Sequence, residues 1–317
     1  MKNSIRLPAP VDPDAPSLLK SKMSTLLDPK ILMSIKNLPL AAKTTIDYFR
    51  QGMHASRAKG QGMEFSQYRS YQPGDDLRQL DWKMYARSDR YYVREADVDA
   101  GISVRFLVDG SASMNHQDGP INKIEYARYL TASLAYLAQQ QGDAIGLYVF
   151  QDDQFFVMAA RQHYQHLSRI FYQLEAIRPQ GTFRPPSHYQ EIYAGTRRRE
   201  LLVMVTDLYE SNQEITALLD ALTALGHEII VFHLIGHNEL TLDYQGYSAV
   251  QDWETGETIP LEGASAKKAY QHQLEAYLER TRRKMLDRRI FYRLLPTDQP
   301  LDVALRDFLN QRNKLSV

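Results

Sequence analysis

The sequence predicts an α/β fold, a doubly wound and mostly parallel sheet, preceded by a small N-terminal helical and β-rich unit. Three observations carry this expectation. From residue 102 onward, short β-branched or aliphatic runs alternate with stretches of helical periodicity, the pattern of strand–helix–strand crossovers. Between 58 and 99 helical periodicity is lost, and Gly60, Gly62 and Pro73-Gly74 punctuate short aromatic runs. The 317 residues leave room for one large domain and a smaller one, at roughly 150 residues per domain.

Taken in order, residues 1–27 read as a flexible lead-in, because Pro8, Pro10, Pro13 and Pro16 leave little that packs. A helical segment, 28–57, opens with Asp28 as N-cap and Pro29 at the first helical position, and places Ile31, Leu32, Ile35 and Leu38 on one face. Pro39 is expected to end or kink that helix, with a second stretch from Ala41 to about Phe49. The β-rich unit spans 58–99, where Pro73-Gly74 suits the two central positions of a type II turn. The sheet domain takes 100–317. Its expected strands are Ile102–Val108, Ala144–Phe150, Leu201–Thr206, Glu228–Ile235 and Arg289–Leu295. Its clearest helix aligns Ile124, Ala127, Leu130, Leu134 and Leu137, and stops at Gly142. Others run through Tyr164–Leu174, Glu214–Leu225, Ala266–Met285 and Leu301–Asn310.

Composition narrows the function. Lys plus Arg and Asp plus Glu both number 38, so no net field steers the chain onto nucleic acid or anionic lipid. The absence of Cys removes disulfides, thiolate metal sites and thiol nucleophiles, and fits a reducing compartment, so a soluble, cytoplasmic protein is expected. No stretch reaches the ~18 apolar residues that a membrane span needs.

In open parallel sheets, ligands gather at the carboxyl ends of the strands. The first expected strand runs straight into Asp109-Gly110-Ser111-Ala112-Ser113, which puts one carboxylate and two hydroxyls in a single turn. These hard oxygens suit Mg²⁺ or Mn²⁺ rather than zinc or copper, and the spacing is that of a metal ion-dependent adhesion site. Alone, such a turn could equally cap the following helix. The fold adds Asp207, just after the Leu201–Thr206 run, and Thr182, in the loop before it, at the same edge. Five oxygen donors from three loops exceed what capping requires.

The residues Gly52-Met53-His54, Gly60 to Phe65, Tyr68 to Arg78 and Asp81 to Arg87, followed by Asp109 to Met114, Lys123 to Ala127 and Gly142-Asp143, closely resemble the domain-of-unknown-function-58 family over nearly everything after residue 28. The resemblance implies a von Willebrand factor A-like domain that works with MoxR-type AAA+ ATPases. It assigns Asp109, Ser111, Ser113, Thr182 and Asp207 as the metal residues. Gly110 stands where the family more usually has threonine, and the loop around Thr182, Gly-Thr-Phe-Arg-Pro-Pro, departs from a plain small-residue turn. Many relatives carry membrane segments near the N-terminus, and none is evident here.

The stretch Tyr68–Arg87 supports two readings. Arg69, Tyr71, Asp75, Asp76, Arg78, Trp82 and Arg87 could form a docking face for a partner. The same residues could instead be internal ion pairs and ring packing that hold a small β-unit together, and this is the favoured reading. Weaker signals are discounted. His227 to His233 lacks the helical spacing of a zinc protease motif, Gly263 to Lys267 lacks the last glycine of a nucleophile elbow, and Arg197–Arg199 and Arg280–Lys284 read as solvated charge. Asp252 to Glu257 reads as a hairpin turn.

Two functions from different classes follow. One is a non-enzymatic binding module that offers a metal ion to an acidic group of a partner, a MoxR-type ATPase or an acidic client protein, in chaperone-like assembly or activation. The other is a metal-dependent phosphohydrolase with Asp109 as nucleophile. Against the second, Ser111 stands where such phosphatases place an acid, and no Walker loop is present.

Overall fold

The computed structural model describes residues 28–57, 68–71, 90–94, 101–151, 154–184, 199–241, 249–251, 258–260 and 263–315, together with Tyr85, Arg87, Ser187, Tyr189, Ile192 and Tyr193. The lead-in 1–27 lies outside them. Two compact units form, one from Met53–Ala100 and the other from Met1–Gly52 with Gly101–Val317.

The chain enters through α1 (Pro29–Ser34), capped by the Asp28 carboxylate, which accepts the Lys30 N–H at 2.8 Å. A short break leads to α2 (Leu38–Arg57). Pro39 does not terminate a helix as the sequence suggested. It occupies the first turn of α2, where its missing N–H has no helical partner to lose, and the helix therefore starts before Ala41. Residues 28–52 belong to the same compact unit as the sheet. In the small unit, β1 (Tyr68–Ser70) and β2 (Tyr92–Arg94) pair antiparallel, with Arg69 opposite Val93.

The sheet begins with β3 (Ser103–Asp109). A short hairpin, β4 (Gln117–Asp118) and β5 (Ile121–Asn122), leads into α3 (Lys123–Gln140). There follow β6 (Ala144–Gln151), β7 (Gln154–Arg161) and α4 (Tyr164–Ala176), then β8 (Leu201–Thr206), α5 (Glu214–Ala224), β9 (Glu228–Ile235) and α6 (His237–Thr241). A second hairpin, β10 (Ala249–Gln251) with β11 (Thr258–Pro260), flanks the expected turn at 252–257, which itself lies outside the described residues. The chain ends with α7 (Gly263–Asp287), β12 (Phe291–Pro296) and α8 (Asp302–Leu315).

Strand order is β12-β9-β8-β3-β6-β7, and every pairing is parallel except β6 with β7. β7 is an antiparallel edge strand that the reading of alternating strands and helices missed. From β3 the chain steps to β6 on one side and then to β8 on the other, so the order reverses at β3. That reversal opens a crevice at the carboxyl ends of β3 and β8.

Both faces of the sheet are covered. Side chains alternate along β3. Val104, Phe106 and Val108, all fully buried, face α3 and α8, where the Phe106 and Phe308 rings lie 6.4 Å apart. Leu107 joins Phe150, Phe183, Met204, Leu208 and Leu218 in the cluster on the opposite face. Two buried ion pairs lock this frame. Arg105 meets Glu200 in the sheet. Arg312 on α8 grips Asp143 in bidentate fashion, at 2.6 and 2.8 Å, and Asp143 also accepts the Ile102 N–H at 3.0 Å. Gly101 passes close to this junction, because a Cβ there would lie 2.1 Å from the Gly142 carbonyl.

Candidate metal centre

Asp109 ends β3 on the face it shares with Leu107, and Thr206 ends β8 one step past the register pair Val108–Val205. The Thr206 hydroxyl consequently donates to Asp109 Oδ2 at 2.6 Å. The other oxygen, Oδ1, accepts the Ser111 N–H at 2.9 Å as the chain turns. This turn needs Gly110: its N–H donates to the Phe150 carbonyl at 2.7 Å, and a Cβ there would fall 2.5 Å from Gln151 Cγ. A side chain at this position would have to displace Gln151 and would press on the Phe150 carbonyl of β6, 3.0 Å from its Cβ.

From Ser111 a chain of oxygens runs across the crevice. Ser111 Oγ lies 3.1 Å from Ser113 Oγ, and Ser113 Oγ donates to Asp207 Oδ1 at 3.1 Å. Asp109, Ser111, Ser113 and Asp207 are all buried. Four of the five residues expected from sequence are thereby brought together. The fifth, Thr182, rides on a loop docked against the same turn by Gln180 N–H to the Gly110 carbonyl and Ala112 N–H to the Gly181 carbonyl, both at 2.9 Å. Thr182 is half-buried. Among the described residues no hydrogen bond joins it to the other four.

Leu208, next to Asp207, adopts a left-handed φ of 53°, a conformation that costs a non-glycine residue about a kcal/mol or more. It is held there by its N–H to Thr206 Oγ1 at 2.9 Å and by the Tyr277 hydroxyl on its carbonyl at 3.2 Å. Beyond it the chain folds back, and the Tyr209 N–H donates to Asp207 Oδ1 at 3.2 Å.

Three residues the sequence reading did not assign complete the site. Thr206 is the first. Lys123, which opens α3, is the second: its ammonium donates to Asp207 Oδ2 at 3.0 Å and to Glu239 Oε1 at 2.9 Å. Glu239, on α6, is the third, and also accepts the Gly236 N–H at 2.6 Å. His116 Nε2 contacts Asn238 Oδ1 at 2.8 Å and lies 3.7 Å from Glu239.

The electrostatics follow from burial and from Lys123. Burial, with Asp207 adding repulsion, pushes the Asp109 carboxyl up to about 6. Burial would raise Asp207 as well, but the Lys123 ammonium outweighs it and holds that carboxyl below its usual range. Burial would lower Lys123, and the two carboxylates hold it above its usual value instead. His233, behind Asp207 and 2.7 Å from the Tyr292 hydroxyl, is pushed down to about 4 by burial.

Among the described residues no three His, Cys, Asp or Glu side chains are grouped as a metal site. A cation here would rest on carboxylates mixed with hydroxyls. The donors fit Mg²⁺ or Mn²⁺ on two counts: all are hard oxygens, and adjacent ligands of an octahedral ion bound at about 2.0–2.1 Å lie roughly 3 Å apart, as the 3.1 Å oxygen spacings do.

The other candidate surface divides. Tyr71 is half-buried, its N–H donates to the Tyr91 carbonyl at 2.9 Å and its ring meets Tyr91 edge-on at 6.2 Å, which is internal packing of the small unit. Arg87 is exposed, and Arg69 lies in β1. Asp75, Asp76, Arg78 and Trp82 fall outside the described residues. His227 and His233 lie before and within a strand, not on a helix. Among the described residues no helix is long and apolar enough to cross a membrane.

Comparison with known proteins bears on identity. The chain is 26% identical over 258 residues, 79% of its length and 78% of the relative's, to the uncharacterized protein Rv1480 of Mycobacterium tuberculosis. Among solved structures it resembles an aerotolerance-related membrane protein from Bacteroides fragilis, with a TM-score of 0.46 and 19% identity, covering 68% of this chain and 100% of that one. The SpRpn10 VWA domain is similar at a TM-score of 0.38 and 13% identity, covering 67% of this chain and 95% of that one. The family described as protein of unknown function DUF58 matches residues 67–282, more than half of the sequence. The chain therefore belongs to this family.

Proposed function

We propose that this chain is a non-enzymatic binding module that presents Mg²⁺ or Mn²⁺ to an acidic side chain of a partner protein. Asp109, Ser111 and Ser113 would hold the ion, with Asp207 and Thr182 around it. The observation that carries the reading is the buried line of oxygens from Ser111 through Ser113 to Asp207, set beside a carboxylate with a raised proton affinity. Bound, the ion would supply a hard Lewis-acidic position open to an incoming carboxylate, since Mg²⁺ seldom fills its shell with protein groups alone. The partner we favour is a MoxR-type AAA+ ATPase, acting with this chain in chaperone-like assembly or activation of client proteins. That choice rests on family resemblance, an associational ground.

The phosphohydrolase reading gains no support from the geometry. The position that would carry a general acid is a serine, Ser111, whose hydroxyl lies against Ser113 Oγ. The test is association of the purified chain with the purified ATPase in Mg²⁺ and in EDTA. Binding should weaken at least about tenfold in EDTA, and Ser111→Ala with Ser113→Ala should reproduce that loss in Mg²⁺. Equal association in both buffers would rule out metal-mediated docking.

A further inference from the structure

Lys123 is poorly placed by every local rule. It stands at the first position of α3, where the helix dipole disfavours a cation. Its side chain is only 5% exposed, and burial of an ammonium is costly unless it is paired. The β4–β5 hairpin nevertheless carries it to the crevice: Asn122 caps α3 by accepting the Ile124 N–H at 3.0 Å, and the Lys123 N–H donates to the His116 carbonyl at 3.0 Å. There its ammonium is shared between Asp207 and Glu239, at 3.0 and 2.9 Å. Glu239 is 23% exposed and sits at the rim, whereas Asp207 is 3% exposed.

The charges of the cluster define what the ammonium does. Asp109, Asp207 and Glu239 contribute three negative charges when ionised, and Lys123 contributes one positive charge. An arriving divalent ion therefore meets a net charge of minus two instead of minus three. It also meets an Asp207 whose second oxygen already holds a cation. Glu239 works in the opposite direction, because it draws part of the ammonium's charge away from Asp207.

We propose that Lys123 is the affinity-setting residue of this site, an internal cation that competes for Asp207 and keeps divalent binding weak and reversible, with Glu239 as the carboxylate that moderates it. The proposal rests on the metal-docking reading and adds a positioning role for two residues outside the ligand set. A weak site is the useful one for docking, because the partner's carboxylate then supplies a large share of the ion's total binding and capture depends on both proteins.

The test is Mn²⁺ binding to the full chain near neutral pH, followed by calorimetry and by the paramagnetic signal of free Mn²⁺, for wild type, Lys123→Met, Lys123→Gln, Glu239→Gln and Asp109→Ala. The Lys123 variants should bind Mn²⁺ at least about tenfold more tightly, equivalent to ~1.4 kcal/mol. They should also melt lower than wild type without metal and gain more in melting temperature when Mn²⁺ is added. Glu239→Gln should bind about threefold more weakly. If the Lys123 variants do not fold, Glu239→Gln decides alone, since its side chain is at the rim. Unchanged or weaker Mn²⁺ binding in the Lys123 variants, or unchanged or tighter binding in Glu239→Gln, overturns the proposal while leaving the metal site standing if wild type binds and Asp109→Ala does not. Failure of wild type and of every variant to bind at millimolar Mn²⁺ overturns both.

Discussion

Asp109 and His233 show how single buried groups report on this site through proton linkage. His233 has its folded pKa lowered from 6.5 to about 4 by burial, so the folded state demands the neutral ring. The associated stability is fully present above about pH 6.5 and is lost as pH falls toward 4, a difference of roughly 3 kcal/mol. Asp109 acts in reverse. Its folded pKa is raised from 3.8 to about 6 by burial and Asp207, so a penalty is fully present above about pH 6 and disappears as pH falls below 4. The wild-type slope between pH 6.5 and 4 is therefore a difference of two effects. Urea midpoints measured with chelator across this range should fall less steeply in His233→Gln than in wild type, and more steeply in Asp109→Asn. Curves that run parallel for all three proteins would contradict the assignment of these shifts.

At the scale of elements, the turn from β3 into the crevice depends on the close approach of Gly110 to β6. A Cβ there would lie 2.5 Å from Gln151 Cγ and 3.0 Å from the Phe150 carbonyl. Gly110→Ala should destabilise by about 1–2 kcal/mol, and the double variant with Gln151→Ala should recover part of that loss, a coupling of at least about 0.5 kcal/mol in a double-mutant cycle of urea unfolding. Strict additivity would show that Gln151 is not the obstacle.

Most elements of the sheet domain were legible because parallel strands buried on both faces read as continuous apolar runs between amphipathic helices. Leu201–Thr206 and Glu228–Ile235 match their expected limits. β7 was not legible by that logic, since an antiparallel hairpin strand needs no crossover helix to announce it. Its signal was a second apolar run, Phe155 to Ala160, starting four residues after Gln151. Within the site, Asp109, Ser111 and Ser113 could be read from one turn. Thr206, Lys123 and Glu239 could not, because each gains its role from a partner 97, 84 or 116 residues away. A lysine opening a helix otherwise reads as solvated charge.

Across the whole molecule, the sheet domain works as a rigid frame that aims a few oxygens at one crevice. The Arg312–Asp143 pair ties the last helix to the loop before β6, and the Arg105–Glu200 pair ties β3 to the approach to β8. Breaking such a buried pair typically costs several kcal/mol, so these charges belong to the frame and not to a second site. The crevice is lined by buried polar groups, the carboxylates of Asp109 and Asp207, the hydroxyls of Ser111 and Ser113 and the ammonium of Lys123. The measurement that tests this account most directly is a Mn²⁺ titration of wild type and Asp109→Ala at neutral pH, with circular dichroism confirming that both are folded. The account predicts saturable binding to wild type in the micromolar to millimolar range and a loss of at least about a hundredfold in Asp109→Ala. Equal Mn²⁺ affinity in the two folded proteins would contradict it.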